Sequence, residues 1–315
     1  MNTVSCFDPL YLHKPQFTDI TMKKITLLFA LVCSCVFTLR GQEDTTYWKK
    51  DFRAGISFNQ ASFSDNWTGG GVNSIGLNAF LNYKANYARD IHSWDNEIDL
   101  AYGVLSNEGQ SSRKSLDRVF LDTKYGRELS SKWIFFTSLS LLTQFADGFA
   151  YDQVRSNGET YDSLISSLFA PAFVTSSWGF EYNPADFFKV RIGPFSPRLT
   201  FVNNDRLSDL GAYGVDPGDN LRAEWLAFQL LADFNKDIAE NLNLKWKYIL
   251  FSNYEELELD KIDHRLDLIL AAKVNSFLDV SLGLIAIYDF DQVDELQFSQ
   301  ALNMGIVYKF KNYED

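Results

Sequence analysis

Apolar and polar residues alternate along most of the chain beyond residue 47, and this period of two predicts β-strands. One alternate row runs from Ile75 to Tyr87 and is wholly apolar, while the row between is mostly Asn, Gly and Lys. A similar apolar row runs from Leu266 to Val274. Several rows exceed the ~5–6 residues of an average soluble strand and reach the ~9–11 residues that cross a membrane. The pattern therefore favours membrane-spanning strands.

The period predicts about twelve strands joined by connections of alternating length. The connections after the even-numbered strands are short, and most of those after the odd-numbered strands are longer. Short turns on one rim and long loops on the other are typical of outer-membrane barrels. We predict an all-β fold, a transmembrane antiparallel up-and-down β-barrel, with both termini in the periplasm. Its strands lie near residues 48–58, 73–87, 93–105, 115–126, 132–145, 167–182, 187–202, 222–235, 241–253, 262–275, 277–290 and 296–310.

The N-terminal segment predicts export. Met22 and two lysines precede the mostly apolar residues 25–39, a run too short for the ~20 residues of a membrane helix but suited to a signal peptide. We expect residues 1–21 to be an extension from a misassigned start, residues 22–41 to be the signal peptide and residues 42–315 to be the barrel domain. All three cysteines precede residue 42, so the exported domain has no disulfide.

The charge excludes one class of partner and favours others. A formal net charge of −12 argues against binding to nucleic acid. We expect contact with outer-membrane lipid and lipopolysaccharide, and with the barrel insertion machinery and periplasmic chaperones during assembly. Acidic residues in the predicted long loops indicate a solvated surface, or a bridge to lipopolysaccharide through divalent cations; they include Asp205, Asp209, Asp216 and Asp219.

The polar faces of the predicted strands carry charges of both signs. Such residues would face the lumen, where an unpaired buried charge is very costly. If they pair across the lumen they plug the barrel, and if they line opposite walls around water they form a narrow channel. Twelve strands allow either arrangement. The candidate lumen residues are Asp95, Glu97, Asp99, Lys189, Arg191, Lys245, Lys247 and Arg265.

The last predicted strand carries a recognisable pattern. Asn303, Gly305, Tyr308 and Phe310 resemble the C-terminal assembly signal by which outer-membrane barrels are handed to their insertion machinery. A tail, residues 311–315, follows the final aromatic residue of the signal. We expect its deletion to leave assembly intact, whereas Phe310→Ala should damage assembly.

A second pattern lies in the first predicted long loop. The run Asn66-Trp67-Thr68-Gly69-Gly70-Gly71, with further motifs at residues 113–117, 143–145 and 194–197, resembles a Bacteroidota outer-membrane family catalogued as a domain of unknown function. The resemblance implies a β-barrel in the outer membrane of a Gram-negative bacterium and no activity. Within the loop, we expect Trp67 to be the anchor and the glycines to allow a tight fold. The motif residues are Asn66, Trp67, Gly69 and Gly70.

The leading functional hypothesis is a narrow, porin-like channel or uptake protein for small solutes. The alternative is a non-conducting structural or scaffold barrel. A third hypothesis, an interfacial lipid-modifying enzyme, would need a Ser–His pair, and His264 near Ser252 or Asn253 is the only seed for one. We expect no enzymatic activity, no catalytic residue, no cofactor and no bound metal.

Overall fold

A computed structural model describes residues 47–62, 64, 72–256 and 258–313. The predicted extension (1–21), the signal peptide (22–41) and the loop-motif residues Asn66, Trp67, Gly69 and Gly70 lie outside these described residues.

Sixteen strands make up most of the described chain, as the alternating pattern requires. They are β1 (Trp48–Ala61), β2 (Ser74–Arg89), β3 (His92–Asn107), β4 (Arg113–Ser130), β5 (Trp133–Thr143), β6 (Gly148–Val154), β7 (Thr160–Ser166), β8 (Ala172–Ala185), β9 (Phe188–Phe195), β10 (Arg198–Phe201), β11 (Leu221–Glu224), β12 (Ala227–Ala239), β13 (Leu242–Asn253), β14 (Asp263–Lys273), β15 (Leu278–Asp289) and β16 (Val293–Lys311).

Twelve of these strands form a closed antiparallel ring. Its order is β1-β2-β3-β4-β5-β8-β9-β12-β13-β14-β15-β16, and β16 pairs back onto β1. The closing ladder runs from Asp51 opposite Lys311 to Phe58 opposite Met304. Closure leaves no unpaired strand edge in the ring. The predicted all-β, twelve-stranded antiparallel barrel is confirmed.

The remaining four strands explain why the chain has sixteen. β10 continues β9 along β8, and β11 leads into β12 while pairing with β10. The predicted strands 187–202 and 222–235 are therefore each interrupted once, at residues 196–197 and 225–226. Pro197 has no backbone N–H to donate to a neighbouring strand. The buried Ser196 hydroxyl donates a hydrogen bond to the Gly193 carbonyl oxygen at 3.0 Å. β6 and β7 form a hairpin within the loop between β5 and β8.

One predicted strand starts later than the sequence pattern indicated. The pattern placed its start at residue 167, but β8 begins at Ala172. Residues 167–171 form a turn, in which the backbones of Ser167 and Ala170 bond to each other.

The alternation gives the barrel an apolar outer face and a polar inner one. Large apolar side chains such as Ile56, Leu77 and Leu139 are exposed on the outside. Aromatic pairs lie at the short-turn end, among them Trp48 with Tyr87, Trp133 with Tyr182, and Phe234 with Trp246. Such a girdle is typical of a lipid–water boundary. No helix in the described part of the chain is long and apolar enough to span a bilayer.

The two rims of the barrel differ, as the connection lengths predicted. One rim carries five short turns together with both barrel ends, the start of β1 and the end of β16. The opposite rim carries long loops, including residues 202–220 with the short helix α1 (Asp205–Asp209). Two connections on that rim, residues 108–112 and 290–292, are short. The long loops share a small apolar core of Ala170, Val202, Leu207 and Val215.

Candidate functional site in the barrel lumen

Two ion pairs join opposite walls of the barrel. Lys247 Nζ on β13 donates to Glu97 Oε2 on β3 at 2.8 Å. These strands are six positions apart in either direction around the ring of twelve. Arg118 on β4 and Asp267 on β14, which are also diametrically opposite, lie 3.2 Å apart. The two pairs thus form a strut of side chains across the lumen.

The strut is packed around an aromatic ring. Phe120, one inward position below Arg118 on β4, is only 2% exposed. Lys247 Nζ lies 4.3 Å from the ring centroid, and the Arg118 guanidinium lies 5.3 Å from it. Both cations therefore combine an ion pair with a cation–π contact, which is stronger when it is desolvated.

A second network fills the lumen on one side of the strut. Lys124 on β4, with none of its surface exposed, binds Glu181 on β8 at 2.5 Å and Asp95 on β3 at 2.8 Å. Arg191 on β9 binds Asp122 at 2.6 Å and Glu181 at 3.2 Å. Each buried charge here has at least one partner of opposite sign, which offsets the cost of its desolvation.

On the other side of the strut, the middle of the lumen wall is lined mostly by small uncharged residues. Asn78 on β2 donates to Asn303 on β16 at 2.9 Å. A Cβ on Gly55 would lie 2.6 Å from the Phe80 ring, so this glycine makes room for that side chain. The inward positions of β1, β15 and β16 here are Gly55, Ser57, Ser281, Gly283, Ser299, Ala301 and Gly305.

The predicted lumen residues divide into two groups. Five of them take part in ion pairs, namely Asp95, Glu97, Arg191, Lys247 and Arg265. Within the described residues, no ion pair involves Asp99, Lys189 or Lys245. Five charged residues of the strut and the second network were absent from the predicted set, namely Arg118, Asp122, Lys124, Glu181 and Asp267. The alternation along β4 carried the signal for three of them, since they share one inward row with Phe120.

Two of the predicted assembly-signal residues lie on the outer face of the barrel and two on the inner face. Tyr308 and Phe310 are exposed on the outer face, opposite Ala54 and Phe52 of β1. Asn303 and Gly305 lie on the inner face. A Cβ on Gly305 would lie 2.6 Å from the Ile56 carbonyl oxygen, so a glycine allows β1 and β16 to approach closely.

A cavity of about 410 Å³ opens above the strut, towards the long-loop rim. Arg118 and Arg265 lie at its inner end, where both guanidiniums bind Asp267. The upper ends of β4, β5, β8, β15 and β16 form its walls, and Tyr213 from the 202–220 loop lies at its mouth.

Tyr213 links two of the long loops at this mouth. Its hydroxyl donates to the Ile165 carbonyl oxygen at 2.5 Å. Burial, with a smaller contribution from the Asp289 carboxylate, raises the pKa of the Tyr213 hydroxyl above its ordinary value. The neutral, hydrogen-bonded phenol therefore persists at all physiological pH values.

The residues considered for catalysis do not form a Ser–His pair. His264 Nδ1 hydrogen-bonds the Tyr248 hydroxyl at 2.7 Å on the outer face. Ser252 is buried, and its Oγ has no hydrogen-bond partner among the described residues. Within the same part of the chain, no group of three or more His, Cys, Asp or Glu side chains is arranged to hold a metal ion.

The closed antiparallel ring, with an apolar outer face and a polar lumen, defines a β-barrel of the outer-membrane type. A family model described as "Protein of unknown function (DUF3078)" matches residues 58–149. This match is consistent with the suspected family of unknown function. A search of curated proteins found no significant match.

Solved structures similar to this chain are outer-membrane barrels. They include the COG4313 outer membrane channel from Pseudomonas putida F1, with 9% identity over 86% of this chain and 100% of that one and a TM-score of 0.37. The NanC porin has 12% identity over 83% of this chain and 100% of that one, with a TM-score of 0.37. The translocator domain of the autotransporter NalP from Neisseria meningitidis has 9% identity over 93% and 99%, with a TM-score of 0.31.

Proposed function

We propose that this protein is an outer-membrane barrel whose lumen is closed by ion pairs, so that it acts as a non-conducting barrel. The observation that carries the proposal is the direct contact of Glu97 with Lys247 between diametrically opposite strands. Together with the contact of Arg118 with Asp267, it supports a plug built from the wall itself. This is the second of the three functional hypotheses drawn from the sequence.

The burial of the strut supports lasting closure. Only 6% of the Lys247 side chain and 11% of the Glu97 side chain are exposed. An ion pair in open water contributes ~0–1 kcal/mol and breaks readily. Removing one partner of a buried pair costs ~3–5 kcal/mol, because the other charge then stays buried alone. Spontaneous opening of the strut would therefore be infrequent.

The proposal includes an orientation in the membrane. The short-turn rim with both barrel ends would face the periplasm, and the long loops would face outward against lipopolysaccharide. The apolar outer face would contact lipid. Protease added to whole cells should cleave within the 202–220 loop and leave the short turns intact.

Conductance in a planar bilayer tests the closure. We expect the wild type to insert without steady conductance, and the Glu97→Ala, Lys247→Ala double variant to conduct. The matched control is the double variant Asp279→Ala, Lys309→Ala. It removes another ion pair, 3.1 Å long, that joins the neighbouring strands β15 and β16 and does not cross the lumen. Heat-modifiable gel mobility would confirm that each variant is folded. Steady wild-type conductance equal to that of the strut variant would overturn the proposal.

A narrow channel is the second candidate, and one observation favours it. The middle of the lumen wall beside the strut has small uncharged residues at several inward positions, among them Ser281 and Gly283. If the wild type conducts, Ser281→Trp should block the current, whereas the strut variants should only widen it. The same bilayer recordings thus separate the two functions.

A further inference from the structure

The cavity above the strut has the size and lining of a ligand site. Pockets for small molecules have volumes of ~300–1,000 Å³ and combine apolar walls with a few placed polar groups. This cavity measures about 410 Å³. Leu142, Phe173, Ile285 and Ile287 supply apolar surface to its walls.

Two residues of its lining each have a buried nitrogen atom without a hydrogen-bond partner among the described residues. One is Arg118 Nε, on a side chain that is about nine-tenths buried, and the other is the amide nitrogen of Gln297. A buried donor without a partner costs ~1–3 kcal/mol, and more when it is charged. Both residues line the same cavity, so its wall has donor capacity that the protein does not use.

Two guanidinium groups line the inner end of the cavity. Arg118 and Arg265 line it and share a single carboxylate, Asp267, which binds Arg118 at 3.2 Å and Arg265 at 2.8 Å. The acidic residue in the lining, Asp117, is already neutralised. It accepts from Lys114 at 2.9 Å and from the backbone N–H groups of residues 145 and 146. The lining therefore holds an excess of cationic donors.

We infer that this cavity binds a small organic anion from the long-loop side, with a carboxylate or phosphate group on Arg118 and Arg265 and an apolar body against Leu142 and Ile285. A guanidinium presents N–H donors in a planar fork that matches both anionic groups. A cation is disfavoured, because its charge would meet two guanidiniums. The inference goes beyond the closed lumen and does not depend on it, since a conducting barrel could hold the same site.

Calorimetric titration of the full chain in lipid nanodiscs tests the site. The probes are benzoate, phenyl phosphate and benzamide, the last being the neutral analogue of benzoate. We expect saturable binding of at least one anion and at least about tenfold weaker binding of benzamide, because hydrogen bonds to charged groups contribute ~1.5–3 kcal/mol. The stronger of the two anions identifies the preferred headgroup.

Variants assign the binding to the cavity. Arg118→Gln should weaken binding of the anion about tenfold, and Gln297→Leu, which breaks no ion pair, should weaken it to a smaller extent. The matched control is Arg198→Gln. Arg198 also faces the lumen, has an unpartnered Nε and binds one carboxylate, that of Asp263 at 2.7 Å, but it does not line the cavity. Equal binding of benzoate and benzamide, absence of saturable binding, or an equal loss in Arg198→Gln would overturn the inference. The closed lumen is judged separately, from the bilayer conductance of the wild type and of the Glu97→Ala, Lys247→Ala variant.

Discussion

Glu97 and Lys247 meet 2.8 Å apart although their strands stand on opposite walls of the barrel. Each has a second, longer contact, Glu97 with Lys84 at 3.5 Å and Lys247 with Asp233 at 3.7 Å. The pair is therefore the centre of a chain of alternating charges that begins on β2 and ends on β12. Its strength is open to direct measurement.

A double-mutant cycle should reveal coupling across the lumen. We expect Glu97→Gln and Lys247→Met each to lower the free energy of unfolding, and their losses to be non-additive by about 1–3 kcal/mol, because each single change leaves the other charge without its main partner. Urea unfolding in lipid vesicles gives the four stabilities. Additive losses would mean that the two side chains are not in contact in the folded barrel.

Adjacent residues on β14 test which face meets lipid. Leu268 lies on the outer row and its neighbour Ile269 on the inner row, opposite Trp246 and Lys245 respectively. We expect Leu268→Arg to destabilise the barrel by about 2–4 kcal/mol, as a charge at mid-bilayer does, and Ile269→Arg to cost much less. Folding yield and urea unfolding in vesicles measure both. The opposite ranking would mean that the two faces are reversed.

Two glycines of the wall should differ sharply in their tolerance of alanine. A Cβ at Gly179 would lie 1.9 Å from the Ile192 carbonyl oxygen on β9, whereas a Cβ at Gly283 has its nearest neighbour at 3.9 Å. We expect Gly179→Ala to destabilise the barrel by about 1–3 kcal/mol through overpacking between β8 and β9. Gly283→Ala should be neutral or stabilising. Thermal loss of heat-modifiable mobility compares the two variants.

The C-terminal strand and its tail should have separable roles. Phe310 is exposed on the outer face, while Asn312 accepts from the Lys50 backbone N–H at 2.6 Å and donates to the Trp48 carbonyl at 3.0 Å. We expect Phe310→Ala to reduce the amount of assembled barrel in cells without a matching loss of folded stability. Asn312→Ala should lower stability by about 1 kcal/mol and leave assembly unchanged, because it removes hydrogen bonds only.

The period of two was sufficient for the ring, because side chains in a barrel wall must alternate between lipid and lumen along every strand. It predicted each of the twelve strands of the ring. The rim with short turns was predicted from charged turns such as residues 88–92 and 236–240. The interruption at residues 196–197 was visible only as the prolines Pro194 and Pro197. Sequence alone does not tell whether a proline ends a strand or bends it.

The site was less predictable than the wall. Alternation shows that Glu97 and Lys247 face inward, but which inward charges meet depends on how the strands are staggered around the closed ring. The role of Phe120 was not predicted either, because an aromatic residue on the inner face interrupts the polar pattern of that face. The cavity is lined by strands and loops from distant parts of the chain, from β4 to β16, and no local motif marks it.

The contact of Glu97 with Lys247 also depends on correct assembly of the whole ring. The two residues are 150 positions apart in sequence, and they meet only if every ladder on both arcs of the ring has its correct register. A slip of one residue in any strand turns its inward charges towards lipid, and a slip of two displaces them along the wall. Misregistered barrels would therefore hold unpaired buried charges and unfold more readily. The strut thus makes the stability of the finished protein depend on correct strand pairing throughout the ring.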